Sequence, residues 1–302
     1  MGGLIARHYI HAFMPPSPDG RPQISHLVML GTPNLGSPCA DVMDATFGVL
    51  GKTVEAVRQL KPSVVAEFNR VTTNRKGVKF SALAGNPLPV LCKSVAPNDG
   101  VVPVESAIWH VRDNALSKNV HTDLTGTEDF SSFVKPRLAV GPKGNHNPEA
   151  PEQAAFRVRD GGDTSNGFAP LFINASYTPG ANSYASQAAR DTGADDFRPA
   201  FAKELTLAPK QTVEVEIPVP AGSDFGVTFM ADANVSATLT DERGALRGKN
   251  LAGSPESRGF FRTIFVERVA GGSVWKLKLE NTGALGASVV VSAWSGAASK
   301  GR

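Results

Sequence analysis

From about Lys203 onward the chain alternates strictly between apolar and polar residues, and this leaves little choice of architecture for that stretch. Val213, Val215, Ile217 and Val219 share one face, with Glu214 and Glu216 on the other. Phe225, Val227 and Phe229 repeat the pattern, as do Val235, Ala237 and Leu239 before the turn Asp241-Glu242-Arg243-Gly244. Phe261–Glu267, Trp275-Leu277-Leu279 and Val289-Val291-Ala293 continue it. Side chains in a strand point alternately to opposite faces, so this spacing describes half-buried strands. About seven short strands with turn signals between them predict a β-sandwich.

The first half reads differently. Leu4, Ile5, His8 and Ala12 outline a helical face up to about Phe13, ended by Pro15, Pro16, Pro18 and Pro22. Ser25–Leu30 is a continuous apolar run closed by Gly31-Thr32-Pro33, as a strand buried on both faces would be. Helical stretches follow at Asp41–Leu50 and Thr53–Val71, the latter broken at Pro62. Lys79–Ala84 reads as a second buried strand, Ala96–Pro103 as part of a long polar loop, Ala115–Val120 as a weaker strand and Asp129–Leu138 as a helix. Strands alternating with helices predict an α/β domain, although three strands make a small sheet. Gly141–Pro151 is rich in Gly, Pro and Asn, and polar residues continue beyond it. The expected division is an incomplete α/β domain over 1–141, a linker over 142–165 and the sandwich over 166–302.

Charge and residue placement narrow the chemistry. Lys plus Arg number 31 against 28 Asp plus Glu, a net charge of +3, without the concentrated basic face of a nucleic-acid binder. No apolar run is long enough to span a bilayer. All six histidines (His8, His11, His26, His110, His121, His146) and both cysteines, Cys39 and Cys92, lie in the first half. Histidine-dependent or thiol chemistry therefore belongs there. Two cysteines permit one disulfide without requiring it.

Four segments, in order, carry a family resemblance. Met1-Gly2-Gly3-Leu4-Ile5-Ala6-Arg7 resembles the part of the α/β-hydrolase nucleophile elbow that follows the serine, which in lipases and esterases commonly reads G-H-S-M-G-G-L. Leu30–Pro38 resembles that family's T-P-x-x-G-S segment, Asn98–Pro103 its acid loop, and His121-Thr122-Asp123-Leu124 its base loop. The resemblance covers about residues 1–138 and implies a Ser-Asp-His triad in the order known for the fold. It assigns Asp99 as the acid and His121 as the base, and gives the backbone N–H of Met1 a share of the oxyanion hole in a longer parent. The serine itself would stand immediately before Met1. The implied activity is carboxylic-ester hydrolysis on an ester or lipid-like substrate, with no cofactor and no metal. The 302-residue chain alone is then expected to lack normal serine-esterase activity. The second reading is a non-catalytic binding or surface protein that retains hydrolase remnants.

Other candidates rank lower. Ser25, Ser37, Ser63, Ser81, Ser94 and Ser106 precede His121, yet none stands in G-x-S-x-G. His110, beside Trp109, ranks well below His121, and Asp123 reads as a surface carboxylate in preference to a calcium ligand. Asp160–Gly167 holds hard-cation ligand types without the EF-hand spacing and reads as linker. The second half resembles the accessory β-sandwiches appended to secreted bacterial hydrolases. Its Phe260-Phe261 pair points to both faces at once, so one ring is expected to be exposed and available to a surface or polymer. A secreted or cell-envelope location follows from this resemblance and the permitted disulfide, with any signal peptide upstream of Met1.

Overall fold

The computed structural model describes residues 1–15, 22–92, 94–140, 199–269 and 272–297. The expected linker, the Asp160–Gly167 stretch and the Tyr177–Arg198 region lie outside them. The chain forms two compact units. One comprises Met1–Ser37, Gln59–Pro87 and the chain from Ala96; the other comprises Pro38–Arg58, Leu88–Val95 and the C-terminal strands.

The first unit is built on a three-stranded parallel sheet. β1 (His26–Leu30), β2 (Lys79–Gly85) and β5 (Asp113–Ser117) lie in the order β1-β2-β5, with Leu27 opposite Phe80 and Leu83 opposite Ala115. β2 is the central strand and is buried from Phe80 to Gly85. Helices α1 (Gly2–His8), α4 (Pro62–Val71), α5 (Val104–Ile108), α6 (Thr127–Asp129) and α7 (Lys135–Val140) complete the unit. α1 runs on into a π-helical turn, Tyr9–Phe13, and a second such turn, Phe130–Val134, joins α6 to α7. Pro62 opens α4 at a position where a missing N–H costs nothing.

The buried face of the first helix differs from the expected one. Leu4, Arg7, Ile10 and Met14 are buried, whereas Ile5, Tyr9 and Phe13 are exposed. Arg7 causes the rotation. Its Nη1 donates to Asn34 Oδ1 (3.0 Å) and its Nη2 to Asn69 Oδ1 (2.8 Å), while its guanidinium lies 3.8 Å from the Trp109 ring centroid. Two amide oxygens and an aromatic face offset part of the cost of burying this cation.

The third strand begins at Asp113, two residues before the expected start. Arg137 grips the Asp113 carboxylate with two bonds, Nε to Oδ2 (2.7 Å) and Nη2 to Oδ1 (2.8 Å), and Ser81 Oγ also donates to Oδ2 (2.6 Å). A charged residue starting a buried strand defeats an apolar pattern search, and only its partner on a distant helix makes it tolerable. Asp113→Ala would leave the Arg137 charge buried and unpaired. A loss of about 3–5 kcal/mol is expected, read by denaturant unfolding, with much of it restored in an Asp113→Leu/Arg137→Met double variant.

The second unit is an antiparallel sandwich. Its strands are β6 (Phe201–Leu207), β7 (Thr212–Val219), β8 (Ser223–Met230), β9 (Val235–Thr240), β10 (Leu246–Asn250), β11 (Phe261–Val266), β12 (Ser273–Asn281) and β13 (Ala287–Ala297). They form two four-stranded sheets, β10-β9-β12-β7 and β11-β8-β13-β6. Leu277 on β12 lies between Val215 and Leu239, and the core is sealed by Phe225, Val227, Phe229, Val289 and Val291. β10 was not expected, because Leu-Arg-Gly-Lys-Asn has no apolar alternation. It is an edge strand, where exposed polar residues are normal.

Two helices, α2 (Pro38–Val49) and α3 (Glu55–Arg58), and strand β3 (Leu88–Leu91) belong to this second unit. α2 contacts β13 and β3 contacts β11, so the outer face of that sheet is partly covered. β3 pairs with β4 (Ser94–Asn98), giving strand structure to residues expected as loop. Cys39 on α2 and Cys92 after β3 form a disulfide with a Cα–Cα distance of 5.4 Å. It closes 53 residues, for which chain entropy gives about 4 kcal/mol at most. The Cys39→Ser/Cys92→Ser variant should lose roughly 2–4 kcal/mol, and added reductant should then leave its denaturation curve unchanged.

Candidate functional site

Asn98-Asp99-Gly100 is a turn sequence, and the turn forms. Asn98 Oδ1 accepts from Gly100 N–H (2.8 Å), and Gly100 takes φ +90°, a conformation suited to glycine. The turn presents Asp99 with no exposed surface. Asp99 Oδ1 accepts from the backbone N–H groups of Val101 (3.0 Å) and Val102 (2.7 Å). Its other oxygen, Oδ2, is therefore left for a different partner.

That partner is His121. Val120 leads the chain into a 3₁₀ turn, His121–Asp123, and the His121 N–H donates to the Asp99 carbonyl (2.8 Å). The same two residues also meet through their side chains, with His121 Nδ1 2.8 Å from Asp99 Oδ2. A carboxylate only accepts, so Nδ1 carries the proton and Nε2 of the neutral ring holds a lone pair. The His121 side chain retains 32% of its surface while Asp99 is sealed. The geometry thus provides a fixed, partly exposed imidazole held at Nδ1 by a buried carboxylate.

Two glycines make the room. Gly31 directly follows β1 at φ +56°, where a Cβ would lie 2.8 Å from both Asp99 Oδ2 and His121 Nδ1. At Gly85, the last residue of β2, a Cβ would lie 2.7 Å from Asp99 Cβ and overlap the Asn119 carbonyl. One residue beyond Gly31, Thr32 packs so closely on Gly3 that a Cβ there would overlap its side chain. The start of α1 thereby reaches the same strand end that abuts the dyad.

The remaining candidates lie elsewhere. Ser37 Oγ donates to Val101 O (2.6 Å), Ser106 Oγ to Gly36 O (2.7 Å) and Ser81 to Asp113, so these hydroxyls are engaged away from His121. Asp123 accepts from Thr122 Oγ1 (3.2 Å) on the 3₁₀ turn, and His110 stacks obliquely beside Trp109. His11 Nδ1 accepts from Asn74 N–H (3.1 Å), and burial, with His8 and Lys76 nearby, lowers its pKa. Met1 caps α1, its carbonyl accepting from Leu4 N–H. Sequence reasoning passed over Arg7 and Asn34, which tie α1 to the loop after β1. Asn34 also donates to Ala107 O (3.1 Å), and Leu35 N–H to Ser106 Oγ (3.0 Å). The T-P-x-x-G-S segment contains Asn34, but its spacing gives no hint of a partner 27 residues back.

No family model and no curated protein matches the chain. Among solved structures it is similar to a lipase of Bacillus licheniformis in its propeptide form, at 16% identity and TM-score 0.46. That likeness covers 97% of this chain, which spans 58% of the lipase's length. A pre-peptidase C-terminal domain of a Bacillus anthracis collagenase is similar over 32% of this chain and 89% of its own, at 9% identity and TM-score 0.25. A C-terminal carbohydrate-binding module of a Zobellia galactanivorans laminarinase is similar over 32% and 92%, at 7% identity and TM-score 0.22.

Gly31→Ala tests whether the strand end was shaped for the dyad. Left-handed strain and contact with both side chains should displace His121. The downfield proton signal of a carboxylate-bound Nδ1–H should disappear, while the far-ultraviolet circular dichroism of the sandwich persists.

Proposed function

We propose that this chain supplies the acid and base of a serine ester hydrolase of the α/β-hydrolase type. The observation that carries the reading is the 2.8 Å contact between His121 Nδ1 and buried Asp99 Oδ2, on a ring about a third exposed whose Nε2 has no hydrogen-bond partner among the described residues. In this role Nε2 takes the proton of a serine hydroxyl as it attacks the ester carbonyl. The same proton then passes to the departing alkoxide, leaving an acyl-serine. Nε2 next accepts a proton from water as its oxygen attacks the acyl carbon, then returns that proton to the serine oxygen as the acyl bond breaks, releasing the carboxylic acid and restoring the serine hydroxyl. Asp99 stays ionised throughout, holding the tautomer and stabilising the imidazolium.

The contact of Gly3 with Thr32 and of Gly31 with the dyad supports a nucleophile just before α1. A serine preceding Met1 would stand at the turn between a strand and α1, and the Met1 N–H would point to the substrate oxyanion. Such a donor is worth about 2.7–4 kcal/mol in the transition state. The substrate is a carboxylic ester, and the whole protein works outside the cytoplasm or in the cell envelope. A further strand, seated on the edge of β1 opposite β2, would carry the elbow. That edge has no partner among the described residues, and Ile5, Tyr9 and Phe13 lie exposed along the helix nearby in sequence.

A protein extended upstream to an in-frame Gly-x-Ser is expected to label with a fluorophosphonate and hydrolyse p-nitrophenyl esters. His121→Ala and Asp99→Asn should each lower kcat by at least about 10³–10⁴-fold with the fold retained. The 302-residue chain alone should neither label nor turn over. Labelling of the short chain would overturn the placement of the nucleophile before Met1, and an upstream sequence without such a serine would overturn the hydrolase reading and leave a binding protein.

A further inference from the structure

The sandwich unit contains a recess of about 350 Å³ beside β10, β11 and β3, roofed by the turn Pro255–Arg258. Leu88, Val90, Leu251 and Phe261 form apolar walls. The polar lining includes Lys249, Asn250, Ser254, Glu256 and Arg262. No residue of the Asp99–His121 pair takes part.

Donors outnumber acceptors here. Arg262 is only 2% exposed, and its Nη1 and Nη2 donate to the Val235 (2.8 Å) and Asp232 (2.9 Å) carbonyls. Nε has no hydrogen-bond partner among the described residues, and neither does the buried Ser254 Oγ. Burial brings the Arg262 pKa down to about 10 against the opposing charge of Asp232, so the group is still a cation at neutral pH. A guanidinium can only donate, so its 3.4 Å contact with Asn250 Oδ1 fixes that amide and leaves the Asn250 Nδ2 hydrogens for another acceptor. Lys249 has no ion-pair partner among the described residues, and Glu256 is the single acidic group in the lining. Arg262 bonds only to neutral oxygens, although the Asp232 charge acts on it, and its unpaired Nε together with Lys249 and the Asn250 Nδ2 hydrogens favours an arriving anion; the Asp232 and Glu256 charges disfavour a doubly charged one.

We propose that this recess binds a monoanionic alkyl carboxylate, its head among Lys249, Asn250 and Arg262 and its chain against Leu88, Val90, Leu251 and Phe261. Such concave sites with apolar walls and a few convergent polar groups are the usual form of small-ligand pockets.

The test titrates the full 302-residue chain with octanoate by calorimetry and by tryptophan fluorescence. Saturable binding is expected, tightening about fourfold per CH₂ from hexanoate to octanoate as chain carbons enter the recess. Lys249→Gln should weaken octanoate several-fold, Glu256→Gln should strengthen it, and Val90→Asp should abolish it. All three changes are made at the recess lining, and an unchanged thermal midpoint checks the fold. Octanol and inorganic phosphate serve as the neutral and tail-less controls. Equal affinity for octanol, equal affinity for phosphate, no saturable octanoate binding, or insensitivity to both charge variants would each overturn the site. Because none of these probes is an ester, failure here leaves the hydrolase reading untouched.

Discussion

The Asp99 carboxylate divides its two oxygens between backbone and imidazole, and much of the first unit is arranged around that division. A fully buried carboxylate must have its lone pairs met, because desolvation alone would neutralise it. Val101 and Val102 N–H groups satisfy Oδ1, which requires the Asn98–Gly100 turn and the left-handed Gly100. Oδ2 requires His121, which in turn needs its own N–H anchored on the Asp99 carbonyl. The strand ends nearest this pair must then be glycine, at Gly31 and Gly85, since no side chain fits. One buried charge thus fixes a turn, a 3₁₀ segment, the last residue of β2 and the residue that follows β1.

The same logic recurs on either side of the sheet with different partners. Arg137 and Asp113 neutralise one another in a bidentate pair, with Phe133 3.5 Å from the guanidinium carbon. Arg7 instead relies on Asn34, Asn69 and the Trp109 face. Asn69 completes the lattice by donating to the Asn34 carbonyl (2.8 Å). Replacing such networks by apolar residues can be neutral for stability, but removing one member strands the others. The sandwich follows another rule. Arg262 is buried there in the same manner, but the central cluster between the sheets is apolar and its sensitivity lies in close packing, as where Gly226 accommodates the Trp294 ring directly across the strand pair.

These two styles explain what could be read from the residues in advance. Alternation in β7, β8, β9, β12 and β13 is written into consecutive positions, so those strands were visible, and β10 was not because Asn250 alone of its five residues is buried. The parallel strands were recognisable from the apolar runs Leu27–Leu30 and Phe80–Ala84, but burial on both faces holds only for the central β2; in the edge strand β1 Met29 alone is fully buried. The start of β5 at Asp113 and the buried face of α1 were hidden, because each depends on an arginine whose partner is 24 or more residues away. The meeting of Asp99 and His121 was inferred from motif order alone. No local pattern gives a 2.8 Å contact across 22 residues, and its catalytic meaning still rests on resemblance and geometry together.

The division of labour within the dyad also bears on how a chain of this kind can be pre-organised. His121 is fixed by two independent bonds to one residue, backbone to backbone and ring to carboxylate, so its orientation does not depend on a nucleophile being present. The ring's rotational freedom is therefore already spent in the folded state, and a serine brought to Nε2 would meet a base needing little further ordering. Association or continuation of the chain at the β1 edge would then have to position one hydroxyl and one oxyanion donor only. An imidazole held by a single exposed contact would carry no such advantage. The sealed carboxylate, more than the histidine it holds, is the part of the site that the fold is built to protect.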